Sequence, residues 1–129
     1  MGTRAAQGQG LLMIVVAIPF PPSVNALYRT FRGRVIMSKT GRDWYKANLP
    51  MLQRQAPKKP IKGRIDIKLE VSPPDNRRRD IDNLAKVSLD CLTKAGVWED
   101  DSQIDRLTIH RGTPDQSAPS IICHISEIE

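Results

Sequence analysis

Eight residues, Arg64 to Val71, alternate without a break between polar and apolar: Arg64, Asp66, Lys68 and Glu70 interleave with Ile65, Ile67, Leu69 and Val71. Side chains along a β-strand point to opposite faces, so the run predicts a strand with one face in a core and one in water. Such a strand needs a sheet covered on one side. Ile104 to Arg111 and Ser120 to Ile128 alternate as well and read as the closing strands. Leu11 to Pro19 is short, apolar and rich in Val and Ile, and reads as a buried first strand. Pro19, Pro21 and Pro22 stop it and keep the chain extended. Val35 to Met37 adds a short strand after a polar, basic loop from Ser23 to Gly33.

Two segments carry helical signals. Ser38 to Ala56 has Ser38 or Thr40 as a cap and Trp44, Leu49 and Leu52 on an apolar side, while Pro50 inside it predicts a kink or a split. Ala56 to Gly63 reads as a Pro/Lys linker. Ile81 to Ala95 places Ile81, Leu84, Ala85, Ser88 and Leu92 near helical spacing, with Asp80 able to cap its start and Gly96 just past its end. The expected fold is therefore α/β in the α+β sense: a small mixed sheet packed with two main helices. A short loop joins the last two strands, so the sheet must be mixed or antiparallel at that end.

Length and charge narrow the class. A chain of 129 residues fits one domain, expected over 11–129, with the Gly- and Gln-rich residues 1–10 as a mobile tail. Aromatic residues make up 5%, so the core must rest on Ile, Val and Leu; a small core of that kind is often completed by a partner subunit. A net charge of +6 favours polyanionic partners. Cys91 and Cys123 lie far apart beside apolar neighbours and read as reduced, buried thiols, which fits a cytoplasmic protein. The apolar run Leu11 to Ile18 is too short to span a bilayer, so no membrane partner is expected.

The chemistry concentrates in one stretch, Asp-Asn-Arg-Arg-Arg-Asp-Ile-Asp-Asn-Leu-Ala-Lys over 75–86, and in a later acidic turn, Glu99-Asp100-Asp101. Asp80 and Asp82 flank Ile81 at a helix entry. Two carboxylates held together repel unless a cation or proton sits between them, and a hard cation such as Mg²⁺ prefers oxygen ligands. The plainer alternative is an N-cap followed by a first-turn acid. Lys86 stands one helical turn beyond Asp82 and one before Asp90, either as part of a surface ion-pair ladder or beside a bound phosphate. Arg77, Arg78 and Arg79 are either a solvated charge run or phosphate contacts next to the acids. The helix carries the chain roughly 20 Å from Asp80, so geometry alone does not bring Asp101 back unless another turn or subunit intervenes. His110 and His124 fall in strands and read as sheet residues, and no phosphate-binding glycine loop is present.

At these residues the sequence resembles the RusA family of Holliday junction resolvases. The resemblance runs from about Ile18 to Ile128. It rests on Ile-Pro-Phe-Pro-Pro-Ser-Val-Asn-Ala-Leu-Tyr-Arg, Arg-Arg-Arg-Asp-Ile-Asp-Asn-Leu-Ala-Lys, and Asp-Cys-Leu-Thr-Lys-Ala-Gly-Val-Trp-Glu-Asp-Asp with the Gln-Ile-Asp that follows. It implies a homodimeric endonuclease that cuts four-way junction DNA symmetrically with Mg²⁺, for which Mn²⁺ can substitute. It further implies that Asp80, Asp82 and Asp101 are the metal-binding catalytic acids and Lys86 the catalytic lysine. Asn83 and Asp100 are implied as supporting residues, and Asn25 and Tyr28, with the neighbouring Arg29, as part of the DNA-contacting surface. A silent branched-DNA binder and a nuclease of broader flap or fork specificity remain the alternatives.

Overall fold

A computed structural model describes residues 13–128; the expected tail at residues 1–10 and the first two residues of the expected first strand lie outside them. Four strands form the main sheet: β1 (Met13–Pro19), β4 (Arg64–Ser72), β5 (Ile104–Arg111) and β6 (Ser120–Ile128), in the order β1-β6-β4-β5. Their contacts are antiparallel, antiparallel and parallel in turn, so the sheet is mixed. The last two strands run in opposite directions but are not neighbours, because their connection passes over β4.

The alternation in β4 gives the expected burial. Ile65, Ile67 and Leu69 are fully buried and Val71 nearly so, on the same side as Ile121, Cys123 and Ile125 of β6 and Val16 and Ile18 of β1. Each such aliphatic side chain contributes about 1.5–3 kcal/mol by leaving water. Two helices share in this core: α2 (Lys39–Gln55) through Tyr45 and Leu52, and α3 (Ile81–Ala95) through Leu84, Val87, Cys91 and Leu92. Ser38 caps α2 by accepting from the Gly41 N–H. The helix runs unbroken through Pro50 rather than splitting there. Pro50 and Lys46, whose carbonyl loses its usual donor, are both exposed, so water can satisfy the carbonyl. Near its end, Gln55 holds the backbone of β1 from both sides of its amide, accepting from Ala17 N–H at 2.8 Å and donating to Ala17 C=O at 3.0 Å.

The expected loop at Ser23 to Gly33 contains structure. Val24–Leu27 forms a single helical turn, α1, capped by Ser23, and Tyr28–Phe31 forms β2, which pairs with β3 (Arg34–Met37) as a separate two-stranded hairpin. Both cysteines are buried and unpaired, and burial pushes the Cys91 thiol up to about 11. Among the described residues no helix is long and apolar enough to cross a membrane.

Candidate active site

The β4–α3–β5 unit decides where the acids go. Because β5 is parallel to β4, α3 must run back between them, with its start above the end of β4 and its end beside the start of β5. At the upper end, the Arg111 guanidinium of β5 donates to the Arg79 carbonyl just before α3. At the lower end, the Ile61 N–H donates to Val97 C=O after α3 at 2.9 Å, and Ile65 of β4 pairs with Ile104 of β5. Asp80 and Asp82 therefore sit at one end of α3 and Asp101 at the other. Fifteen residues of helix separate them, about 22 Å at 1.5 Å per residue.

Asp80 occupies the N-cap position and its carbonyl accepts from Leu84 N–H at 3.2 Å, but its carboxylate makes no capping bond. The expected side-chain cap is therefore absent, and the exposed carboxylate is left for other partners. Asp82 is exposed in the first turn and, among the described residues, accepts only from the Asn83 N–H, at 3.0 Å. Asp80 and Asn83 line a depression with Asn25, Phe20 and Pro22. Asp82 faces a different groove, which runs along α3 and β5 with Ile81, Ala85, Leu89, Leu107 and Ile109 as its apolar floor and Lys86, Asp90 and Asp101 on its borders. Among the described residues no three acid, histidine or cysteine side chains of one protomer come close enough to hold a metal ion together.

Lys86 does not join an ion-pair ladder: among the described residues it forms no salt bridge with Asp82 or Asp90. Asp90 instead accepts from the Tyr28 hydroxyl at 3.2 Å. Burial first, and the Asp90 charge second, push the Tyr28 phenol up to about 12. Tyr28 thus ties the β2–β3 hairpin to α3, while Asn25 and Arg29 are exposed on either side of it.

The three arginines differ. Arg78 is exposed and forms no salt bridge among the described residues, and Arg77 is exposed and reaches Asp75 only at 3.7 Å. Arg79 is committed: it bonds Asp75 at 2.9 Å and lies 5.1 Å from the Phe20 ring centroid, bracing the strand–helix turn against the entry segment. The Arg79 and Arg77 bonds together hold the Asp75 carboxyl below the usual carboxylate range.

Asp101 is seated by two neighbours. Asp100 caps the short 3-10 turn Asp101–Gln103, accepting from Ser102 N–H at 3.0 Å; the Ser102 hydroxyl first, and this N–H second, hold its carboxyl below the ordinary range. Gln103 is buried and accepts from the Glu99 and Asp100 N–H groups at 2.9 and 2.8 Å, while donating to the carbonyls of Ile61 and Gly63 at 2.8 and 3.0 Å. It fastens the acidic turn to the start of β4. The Asp-x-x-Gln spacing of a capping box was the available signal for it.

Asp80, Asp82, Lys86 and the arginine run thus gather about the start of α3, with Lys86 in no salt bridge among the described residues. The family model for endodeoxyribonuclease RusA matches residues 19–125. A crossover junction endodeoxyribonuclease of Enterobacteria phage 82 is 41% identical, and those of Escherichia coli K12 and Shigella sonnei are 42% identical; each alignment covers 69% of this chain and 74% of the relative. With the match extending from the end of β1 into β6, the chain belongs to the RusA endodeoxyribonuclease family.

Proposed function

We propose that this protein is a junction-resolving DNA endonuclease, a homodimer that hydrolyses phosphodiester bonds in four-way junctions with Mg²⁺. The observation that carries this reading is the Arg-Arg-Arg-Asp-Ile-Asp-Asn-Leu-Ala-Lys run folded with the Asp80 and Asp82 carboxylates and the Lys86 ammonium exposed and, among the described residues, in no salt bridge. Leaving such charges without partners on one helix end has a physical rationale when a cation and a phosphate complete the set.

The ends-apart geometry of α3 supports a site shared between subunits. The α3–β5 groove has an apolar floor, and Leu107 is 41% and Ile81 39% exposed in the single chain. A two-fold dimer that packs two such grooves face to face, with its axis across α3, runs the two α3 helices antiparallel. Each Asp101 then approaches the Asp80–Asp82 end of the partner subunit, and the same contact covers the apolar floor. Asp80 and Asp82 of one subunit with Asp101 of the other supply the carboxylate oxygens that suit Mg²⁺ or Mn²⁺. When bound, the ion supplies Lewis acidity and a water activated for attack at phosphorus.

The chain's own groups do the rest. Lys86 places its ammonium beside the reacting phosphate and offsets charge as it develops. Arg77 and Arg78 hold neighbouring phosphates, with Asn25 and Arg29 continuing the contact surface. Asn83 shares the Asp80 depression, and Asp100 keeps Asp101 seated.

The test is a cleavage assay on a synthetic four-way junction, a flap and a linear duplex of matched sequence, with and without Mg²⁺. Paired symmetric cuts in the junction alone, dependent on the metal, are expected. Equal cutting of flaps would assign a broader nuclease, and tight junction binding without cutting would make the chain a silent binder.

A further inference from the structure

The β2–β3 hairpin has a tip unlike the rest of the surface. It pairs only with itself, as a two-stranded sheet apart from the main one. Two strands alone are marginally stable in water and usually need a partner to cover them. Its turn, Arg32-Gly33, has positive φ at both residues, 52° and 75°, as tight type I′ hairpin turns require. Gly33 adopts this without strain, while Arg32 accepts a backbone conformation uncommon for its type.

That turn arranges one face. Phe31 pairs with Arg34, and Arg29 lies two residues before Phe31 on the same side. The Arg29 and Arg32 guanidinium carbons stand 5.3 and 5.1 Å from the Phe31 ring centroid. None of Arg29, Arg32 and Arg34 forms a salt bridge among the described residues. Phe31 is 46% exposed and Val35, at the tip on the opposite face, 74%. An aromatic ring held in solvent among three uncompensated cations matches a nucleobase with its flanking phosphates.

The root of the hairpin fixes where this face acts. Tyr28 bonds Asp90, one helical turn from Lys86 and on the groove that holds Asp82. Three residues of strand carry Phe31 about 10 Å beyond that root.

We propose that the hairpin is a branch-point pin: Phe31 stacks on a base that has left the helical stack, and Arg29, Arg32 and Arg34 hold the phosphates beside it. As the base arrives it displaces a guanidinium from the ring, and that guanidinium passes to phosphate. Linear duplex keeps its bases stacked and offers nothing for Phe31 to take. A four-way junction has a branch point where stacking is interrupted. The pin therefore separates branched from linear DNA, a role that rests on the junction-resolving reading above.

The test uses the full-length protein with Phe31→Ala, Phe31→Leu and Phe31→Trp, and DNA carrying 2-aminopurine beside the branch point. Wild type should change the 2-aminopurine emission on binding. Phe31→Ala and Phe31→Leu should abolish that change and weaken junction binding about tenfold while leaving linear-duplex binding unaltered. Phe31→Trp should restore both. Unchanged junction affinity and emission in Phe31→Ala would overturn the pin, as would an equal loss on linear duplex or full recovery by Phe31→Leu. A hairpin that docks a protein instead would give the first of these results. If wild type itself bound junction and duplex alike, the junction reading would fail. The pin would then be judged on single-stranded DNA with 2-aminopurine, where only wild type and Phe31→Trp should alter the emission and an equal response from Phe31→Ala would refute it.

Discussion

Individual side chains at the start of α3 divide into those that act and those that hold. Asp82 is exposed and accepts a single local hydrogen bond, so Asp82→Asn removes a charge without removing a structural contact. It should reduce Mg²⁺-dependent junction cleavage by about a hundredfold or more, the scale set by losing a group that serves the transition state. Junction binding in a gel-shift assay should stay equal or tighten, because a charge that repels phosphate is gone. The arginines separate in the same manner. Replacing Arg77 and Arg78 with Ala should lower the slope of binding against salt by about two units, one for each lost phosphate contact. Arg79→Ala should register chiefly as a lower melting temperature, since its guanidinium already serves Asp75 and Phe20. The residue types were legible in the sequence, but their division was not. Nothing in three consecutive arginines says which one turns back onto the ring of Phe20, 59 residues earlier in the chain.

Among the elements, the ones that alternate were easiest to foresee. β4, β5 and β6 appear where their patterns place them, and α3 begins after Asp80 and ends at Gly96, whose φ of +83° closes the helix. The short strand expected at Val35 to Met37 appears as β3, but its partner β2 was hidden, because Tyr28–Phe31 is four residues long and largely exposed and no apolar period marks it. Its signal was a glycine between strand-forming residues, Phe31-Arg32-Gly33-Arg34-Val35. The 3-10 turn that carries Asp101 was equally concealed, although its cap was written in the spacing of Asp100 and Gln103. Gln103→Ala would leave two donors and two acceptors of the backbone without partners, at a cost of about 1–3 kcal/mol in thermal or urea unfolding. Cleavage should fall further than junction binding, because Asp101 loses its seat while the arginines do not. The Asp100 carboxyl is held below its ordinary range by Ser102, so its stabilisation is present above the usual carboxylate value, about 3.9. It disappears as pH falls through the depressed value. Melting temperature against pH should show that acid loss, and Asp100→Asn should flatten it.

At the scale of the whole molecule, the expected mixed sheet with two main helices is correct, and the open issue was how Asp101 meets the other acids. The helix-length argument placed it far from Asp80, whereas the family resemblance implied proximity. A dimer with crossed ends satisfies both. It makes a sharp prediction: Asp82→Asn and Asp101→Asn homodimers are each inactive, but a mixture allowed to exchange subunits should recover nicking of one junction strand, since one of its two sites is wholly wild type. Persistent inactivity of verified heterodimers would show that each subunit works with its own acids. Sizing of the wild-type protein at micromolar concentration should give the mass of two chains. The sheet order has a bearing on how the molecule comes into being. β6, the last described strand, lies between β1 and β4, the first and second strands of the main sheet to be made. Until Ser120–Ile128 leaves the ribosome, β1 has no neighbour and the apolar face of β4 is covered on one flank alone. The nascent polypeptide therefore gains the frame that holds its acids and arginines only when Ser120–Ile128 has emerged to join β1 to β4.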